Sequence, residues 1–392
     1  MALPLEGIRV LDLSTMLPGP FCTMILADFG AEVIKVEAVK GGDLFRGGVP
    51  KIGDTGGAFF QVNRNKKSIT LNLKAKEGKE IFYKLVKDAD VVIEQYRPGV
   101  VKKLGVDYET VRKINPKIVY CSLSGYGQTG PYQQLSGHDL NYISYAGILG
   151  LTARKGQAPT IPGVQIADIG GGALYAAIGI LIALMGVKQN GVGQYVDTSM
   201  MDGAISWLPV LANDYFVNGK SPQVGENILN GQNACYEVYE TADGRYISIG
   251  AIEPHLWANF CDKIGREDYK AWQRDLTKQD VMFTELRALF KTRTQAEWIK
   301  FLDGVDCCWA PVKDLEEVFA DPHAIAREMV FEMEDPQGVY GTVKEIGSAI
   351  KLSGTPARRD LFPPRKGEHN AEYLKQIGYT DADIATFAEQ GV

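Results

Sequence analysis

The chain has 392 residues, of which 45% are hydrophobic and 23% charged. This composition is typical of soluble globular proteins and excludes a wholly disordered chain, and the length predicts two or three domains. Because 42 basic side chains face 48 acidic ones, the formal net charge is −6, so we expect no nucleic-acid partner and no attraction to an anionic membrane surface.

The first residues lack the basic-then-apolar pattern of a signal peptide. The most apolar run, residues 173–187, is 15 residues long, shorter than the roughly 20 that a membrane span needs. Because it is apolar on all sides, we expect a fully buried helix and no membrane insertion. The six cysteines show no C-x-x-C spacing, which favours a reduced, metal-free, cytoplasmic protein.

The first third of the chain alternates strand and helix patterns. Helices are predicted at 21–29 and 77–88, between strands at 8–13, 32–37, 68–73, 90–94 and 117–123. Such alternation predicts right-handed crossovers and a parallel sheet, hence an α/β fold.

The pattern changes in the second half. Turn-forming residues fill 218–233, residues 236–250 read as a hairpin turning at Asp243-Gly244, and Thr294 and Glu297 form a capping box. We therefore divide the chain into a large domain at 1–200, a linker at 201–224, a small α+β domain at 225–325, and a return linker with the C-terminal part of the large domain at 326–392.

Residues Gly125 to Gly130 match G-x-G-x-x-G after a strand. A dinucleotide site would also need a helix opening at the motif and an acidic residue about 20 positions later. Pro131 follows instead, and residues 145–155 hold no carboxylate. The motif is better interpreted as a loop in which glycine allows close backbone approach.

Two short segments carry candidate acid–base groups. His138 and Asp139 follow the glycine loop and precede an apolar run; a structural role is the simpler interpretation, but the pair also suits proton transfer. Asp168 precedes three glycines at the start of the most apolar helix. It could simply cap that helix, or it could act as a base beside amides open to a developing oxyanion.

Further charged candidates lie near predicted strand ends. Glu253 stands between a strand and Pro254, where it could favour the helix start or orient a histidine. Ligands of open parallel sheets bind outside the carboxyl ends of strands, so a phosphorylated group could be held by basic residues there. These are Arg64, Lys66, Lys67 and Arg97, for which a solvated charged face is the alternative.

Several motifs together resemble a known family. In chain order they are Leu17-Pro-Gly-Pro20, Asp28-Phe-Gly-Ala-Glu-Val-Ile-Lys-Val-Glu37, Tyr96-Arg-Pro-Gly99, Ser124-Gly-Tyr-Gly-Gln-Thr-Gly-Pro131, Gly137-His-Asp139, Ala167-Asp-Ile-Gly-Gly-Gly172 and Lys366-Gly-Glu-His-Asn370. Class III CoA-transferases and α-methylacyl-CoA racemases show this order. The resemblance covers nearly the whole chain.

The resemblance implies CoA-thioester chemistry in an interlocked homodimer. It implies a Rossmann-like large domain, built from the N-terminal part and the C-terminal tail, and a small domain between them. Active sites would lie between the large domain of one subunit and the small domain of the other. No cofactor is implied beyond the CoA moiety of an acyl-CoA substrate.

Two reactions share this family. In the transferases an aspartate, here Asp168, attacks the thioester and carries the acyl group and then CoA. In the racemases the same aspartate and a histidine supported by a glutamate, here His138 and Glu253, transfer protons. The string Gly250-Ala-Ile-Glu-Pro254, where transferases commonly carry Gly-Asn, and the lack of consecutive glycines at 225–235 favour the racemase.

The expected reaction is 1,1-proton transfer at the α-carbon of a 2-methylacyl-CoA. His138, oriented by Glu253, would serve one face of a planar enolate and Asp168 the other. Amides at the start of the Asp168 helix would hold the enolate oxygen. Met200 and Met201 could line the acyl surface or simply pack in the core, and the basic residues named above would bind CoA phosphates.

Overall fold

The computed structural model describes residues 1–392. The chain folds into two compact units. The large unit comprises residues 1–146, 163–207 and 322–392, and the small unit comprises 147–162 and 208–321. Residues 147–162, which the sequence assigned to the large domain, therefore cluster with the small unit. The expected linker at 201–224 is largely helical.

Thirteen strands form the sheets. They are β1 Arg9–Asp12, β2 Glu32–Glu37, β3 Lys51–Ile52, β4 Thr55–Gly56, β5 Lys66–Thr70, β6 Val91–Glu94, β7 Val119–Ser124, β8 Tyr195–Ser199, β9 Tyr236–Glu240, β10 Tyr246–Gly250, β11 Trp309–Pro311, β12 Val330–Glu334 and β13 Thr342–Ile346.

The α-helices are α1 Pro18–Asp28, α2 Gly57–Phe60, α3 Lys76–Val86, α4 Val100–Leu104, α5 Tyr108–Ile114, α6 Asp139–Tyr145, α7 Ile148–Leu151, α8 Tyr175–Asn190, α9 Met200–Ile205, α10 Pro209–Asn218, α11 Pro254–Ile264, α12 Asp268–Trp272, α13 Gln279–Phe290, α14 Gln295–Leu302, α15 Leu315–Phe319, α16 Pro322–Ala326, α17 Asn370–Gln376 and α18 Asp381–Gln390. Residues Ile166–Leu174 form a π-helical segment that continues into α8, and short 3₁₀ turns lie at Leu44–Gly47 and Ile228–Asn230.

The large unit is organised around a six-stranded parallel sheet in the order β5-β2-β1-β6-β7-β8. This confirms the predicted α/β fold. The strand order reverses between β1 and β6, so the carboxyl ends of these two strands border the crevice where open parallel sheets usually bind ligands. The main core of this unit packs aliphatic and aromatic side chains of the sheet against α3 and α17.

The C-terminal tail covers the edge strand β5. The backbone N–H of Ser68 donates to Nδ1 of His369 at 3.2 Å, and that of Thr70 donates to Oδ1 of Asn370 at 2.8 Å. These side chains satisfy backbone donors that an open edge would leave unpaired.

The small unit is α+β, as predicted. Its antiparallel sheet has the order β11-β10-β9, and the hairpin turns at Gly244, where φ is +74°. The capping box of Thr294 and Glu297 opens α14. Aromatic rings fill the core, with Tyr239 stacked on Phe290 at 4.6 Å between ring centroids.

The expectation of a fully buried apolar helix is wrong. In α8, Ile178, Ile182 and Met185 are 50%, 65% and 56% exposed. The π-helical segment and α8 together form a helix, Ile166–Asn190, long and apolar enough to cross a membrane by length and composition, a test that core helices of soluble proteins also pass. The sequence shows how apolar each side of α8 is but not which side the rest of the chain covers.

Candidate active site

His138 lies in a loop held by a tyrosine of the helix that follows it. The hydroxyl of Tyr142 donates to the carbonyl of Gly137 at 2.5 Å, and the backbone N–H of His138 donates to Oδ1 of Asn141 at 3.1 Å. A Cβ at Gly137 would lie 2.7 Å from atoms of Tyr126 and Tyr142, so glycine is needed for the loop to pass these rings. The imidazole of His138 is thereby attached to an exposed, well-anchored position at the start of α6.

Asp139 connects this loop to the segment that carries Asp168. Its Oδ1 accepts the backbone N–H of Ala167 at 2.7 Å and that of Asp168 at 2.9 Å. The structure therefore brings His138, Asp139 and Asp168 to one corner of the large unit, although they are up to 30 residues apart in the sequence.

The surroundings of Asp168 raise its pKa to about 6. Burial is the main cause, the negative charge of Asp139 adds to it, and His138 acts in the opposite direction. A carboxyl group that titrates this close to neutrality can both accept and donate a proton under ordinary conditions.

The predicted oxyanion donors must be corrected. The amides of Ala167 and Asp168, which the sequence offered to an enolate oxygen, already donate to Asp139. The three glycines that follow are buried and allow close packing instead: a Cβ at Gly170 would lie 1.8 Å from the ring of Trp207, and one at Gly171 would lie 2.5 Å from the carbonyl oxygen of Met200. Met200 is itself 4% exposed, so it belongs to the core rather than to an open acyl surface.

Glu253 belongs to the small unit. As predicted, it lies between a strand and a helix: β10 ends at Gly250, and Pro254 is the first residue of α11. It is the residue preceding that helix, its side chain is exposed, and its carboxylate makes no capping hydrogen bond. Its backbone carbonyl accepts the N–H of Trp257 at 3.1 Å, so the residue takes part in the helix start, as the simpler interpretation has it, while its side chain stays exposed.

Two of the four basic residues are committed to buried ion pairs. Arg64, 2% exposed, contacts Oδ2 of Asp28 at 2.7 Å and Oε2 of Glu345 at 3.2 Å. Lys66, 1% exposed, donates to the carbonyl of Pro20 at 2.8 Å and lies 3.4 Å from Asp12. The geometry does not support phosphate binding by either side chain, because both are enclosed and already paired.

The other two basic residues are accessible. Lys67 pairs with Glu372 at 2.5 Å in a partly exposed position. Arg97 is exposed and donates to Oγ of Ser136 at 2.8 Å, two residues before His138. Arg97 follows β6, at the strand-order reversal of the sheet, and is therefore placed at the crevice where a ligand of this fold is expected.

Sequence reasoning missed Gln95 in the same crevice. Its Oε1 accepts the backbone N–H of Gly19 at 3.0 Å, which ties the end of β6 to the start of α1. The position after a central strand was the available signal. The small unit also has an open cavity of about 1670 Å³, and none of the predicted site residues lines it.

Comparison with known proteins places the chain in one family. A family model described as CoA-transferase family III matches residues 5–370. Alpha-methylacyl-CoA racemase of Mus musculus is 35% identical, covering 97% of this chain and 95% of the relative. Succinyl-CoA:glutarate CoA-transferase of Homo sapiens is 33% identical, covering 99% and 90%.

Solved structures share the fold of this chain. A CAIB/BAIF family protein from Brucella suis superposes with a TM-score of 0.83 at 32% identity, covering 96% of this chain and all of that one. Racemase and transferase names occur at nearly the same identity, so the comparisons establish the family and its CoA-thioester chemistry rather than one of the two reactions.

Proposed function

This chain belongs to CoA-transferase family III, and from that premise we propose that it is an α-methylacyl-CoA racemase. The reaction is interconversion of (R)- and (S)-2-methylacyl-CoA thioesters by 1,1-proton transfer through an enolate. The observation that carries the proposal is the contact made by Asp139. This residue directly follows His138, and its carboxylate accepts the backbone N–H of Asp168. A transferase using Asp168 as nucleophile has no need of an imidazole there.

The proposed mechanism uses one group on each face of the α-carbon. A thioester α-proton is weakly acidic, so a placed base must remove it while the opposite group returns a proton to the other face. Asp168 suits this task because its pKa of about 6 lets it alternate between acid and base. His138 serves the opposite face, and Glu253 orients its imidazole.

The CoA moiety of the substrate is the only cofactor group in the proposal. Arg97 is the main candidate for a CoA phosphate, because it is exposed at the crevice and near the histidine loop. A guanidinium suits this role since it can donate two hydrogen bonds to one phosphate. Lys67 is the second candidate, and would have to exchange its contact with Glu372 for the phosphate.

We extend the proposal to an interlocked homodimer in the cytoplasm. The exposed side of α8, formed by Ile178, Ile182 and Met185, is the apolar surface that a second copy would cover. All six cysteines are free, which suits a reducing compartment.

The alternative function is CoA transfer between carboxylic acids, with an aspartyl-CoA intermediate on Asp168. The relatives named succinyl-CoA:glutarate and succinyl-CoA:mesaconate CoA-transferase favour it, at 33% and 35% identity. In that reaction the Asp168 carboxylate attacks the thioester carbon, giving a mixed anhydride and CoA thiolate, and the thiolate then attacks the aspartyl carbonyl, giving aspartyl-CoA and the free donor acid. The incoming carboxylate attacks the aspartyl thioester and again displaces CoA thiolate, which takes the new acyl group and regenerates Asp168.

Proton NMR of the enzyme with a 2-methylacyl-CoA in D₂O separates the two reactions. A racemase exchanges the α-proton for deuterium without any second acid. A transferase leaves the α-proton in place and forms a new thioester only after a free carboxylic acid is added. Transfer to an added acid without α-exchange would refute the racemase assignment.

A further inference from the structure

We propose that Asp139 is a positioning residue, whose carboxylate holds the start of the π-helical segment against the histidine loop and thereby sets the placement and protonation of Asp168. The inference rests on the proposed function, because it concerns the same pair of groups. It assigns to Asp139 a role other than the direct acid–base chemistry considered from the sequence.

The carboxylate of Asp139 bridges two backbone amides of the π-helical segment. One oxygen of Asp139 accepts two consecutive backbone N–H groups, those of Ala167 and Asp168, at 2.7 and 2.9 Å. Amides in the first turn of a helix have no partner within the helix and need an outside acceptor. Because Asp139 directly follows His138, this one carboxylate fixes the backbones that carry both candidate proton-transfer groups.

The same contact argues against Asp139 as the base. An ionised carboxylate is an acceptor only, and Oδ1 of this one is already engaged with two donors of the protein itself. The neighbouring backbone of α6 is anchored as well, since the hydroxyl of Tyr142 donates to Gly137. Asp139 is thus held toward the π-helical segment by contacts on both sides of the junction.

The charge of Asp139 acts on Asp168. Burial is the first cause of the raised pKa of Asp168, Asp139 is the second, and His138 opposes both. Elements packed against the π-helical segment carry further titratable or charged groups, namely Cys22 and Asp28 on α1, Tyr120 and Cys121 on β7, Tyr142 and Tyr145 on α6, Tyr175 and Lys188 on α8, Tyr195 and Asp197 on β8 and Asp202 on α9. Among all these groups, Asp139 and His138 are the ones whose charges shift the pKa of Asp168.

The electrostatic part is tested by carboxyl titration. Protein labelled with [4-¹³C]aspartate is titrated by NMR, and the Asp168 signal is identified by its loss in Asp168→Asn. In Asp139→Asn the amide oxygen can still accept both N–H groups but the charge is gone, so we expect the Asp168 midpoint to move to lower pH. Asp197→Asn is the matched control, because Asp197 also accepts a backbone N–H, from Gln128, at 3.1 Å. An Asp168 midpoint equal in Asp139→Asn and the control would overturn the proposal.

The positioning part is tested by amide hydrogen exchange at residues 167 and 168. Asp139→Ala removes the acceptor, and we expect exchange there to accelerate by about tenfold or more, whereas Asp139→Asn preserves the protection. Equal protection of these two amides in Asp139→Ala and the unmodified protein would refute the positioning role of Asp139. If Asp139→Ala does not fold, exchange in the unmodified protein decides the positioning part: amides of residues 167 and 168 that exchange as fast as unprotected amides would refute it. Neither readout requires turnover, so a failure of the racemase assignment is distinguishable from a failure of this inference.

Discussion

The carbonyl oxygen of Gly171 occupies the space that a side chain on Gly203 would need: a Cβ at Gly203 would lie only 1.9 Å from that oxygen. In the reciprocal direction, a Cβ at Gly171 would lie 2.8 Å from the backbone nitrogen of Ala204, which is also too close. These two glycines let the π-helical segment and α9 meet backbone to backbone. The contact lies three residues after Asp168, so it also fixes the position of that carboxylate.

Gly203→Ala should therefore destabilise the large unit. The added methyl overlaps backbone atoms that have little room to move, and overpacking of this kind costs roughly 1–3 kcal/mol. Chemical denaturation measures the free energy of unfolding. Gly163→Ala is the control, because a Cβ there meets nothing within 4 Å; equal losses in the two variants would contradict the packing account.

Arg64 and Arg97 should give opposite results when each is changed to alanine. Arg64→Ala leaves Asp28 and Glu345 buried without their counter-charge, which should cost about 3–5 kcal/mol of stability. Arg97→Ala should leave the free energy of unfolding nearly unchanged and raise KM for the CoA thioester. Paired denaturation and kinetic measurements check both. Intact stability in Arg64→Ala together with a raised KM would restore Arg64 as a phosphate ligand.

We predict that Glu94 makes the free energy of unfolding depend on pH. Burial raises the pKa of Glu94 from 4.5 to about 7, although the backbone N–H of Tyr96 donates to it at 2.7 Å. Between these values the folded protein holds a proton that the unfolded chain has released, so stability falls as pH rises from about 4.5 to about 7. The loss is on the order of 3 kcal/mol.

Urea denaturation across this pH range measures that slope. In Glu94→Gln the titrating group is absent while a side-chain oxygen can still accept from Tyr96, so its stability should decline less steeply with pH. Parallel pH profiles for Glu94→Gln and the unmodified protein would show that Glu94 does not titrate in this window.

Ile182→Glu tests the proposed dimer surface. Ile182 is 65% exposed in the middle of the apolar side of α8, and burying a charge there would oppose association. Light scattering after size exclusion should show a dimer for the unmodified protein and a shift to monomer for the variant. Val49→Glu, at an apolar residue that is 87% exposed, serves as the control. A monomeric unmodified protein would exclude the assembly.

Much of the large unit could be predicted because its strands are buried and bounded by turn residues. The strand Glu32–Glu37 was predicted with its observed bounds, and β6 differs from its prediction by one residue. Alternation of such strands with helices leaves few topologies, so the parallel sheet followed directly. The hairpin at Gly244 was predictable for a similar local reason, the Asp-Gly turn.

The parts that could not be predicted depend on distant contacts. Asp139 has a clear candidate role only once its contact with the amides at 167 and 168 is known. Arg64 and Lys66 look like accessible cations in the sequence, but residues up to 282 positions away enclose and bind them. The glycines after Asp168 suggested an open anion site, whereas the approach of α9 explains them through packing. Local patterns do not contain these long-range partners.

Exchange of each enantiomer in single-base variants tests the two-base mechanism most directly. (R)- and (S)-2-methylacyl-CoA are incubated separately in D₂O with His138→Ala and with Asp168→Asn, and α-deuterium uptake is followed by NMR. We predict that each variant loses racemisation but still exchanges one enantiomer, and that the surviving enantiomer differs between the two variants. Undiminished racemisation of both enantiomers in His138→Ala, or survival of the same enantiomer in both variants, would contradict opposed proton transfer by His138 and Asp168.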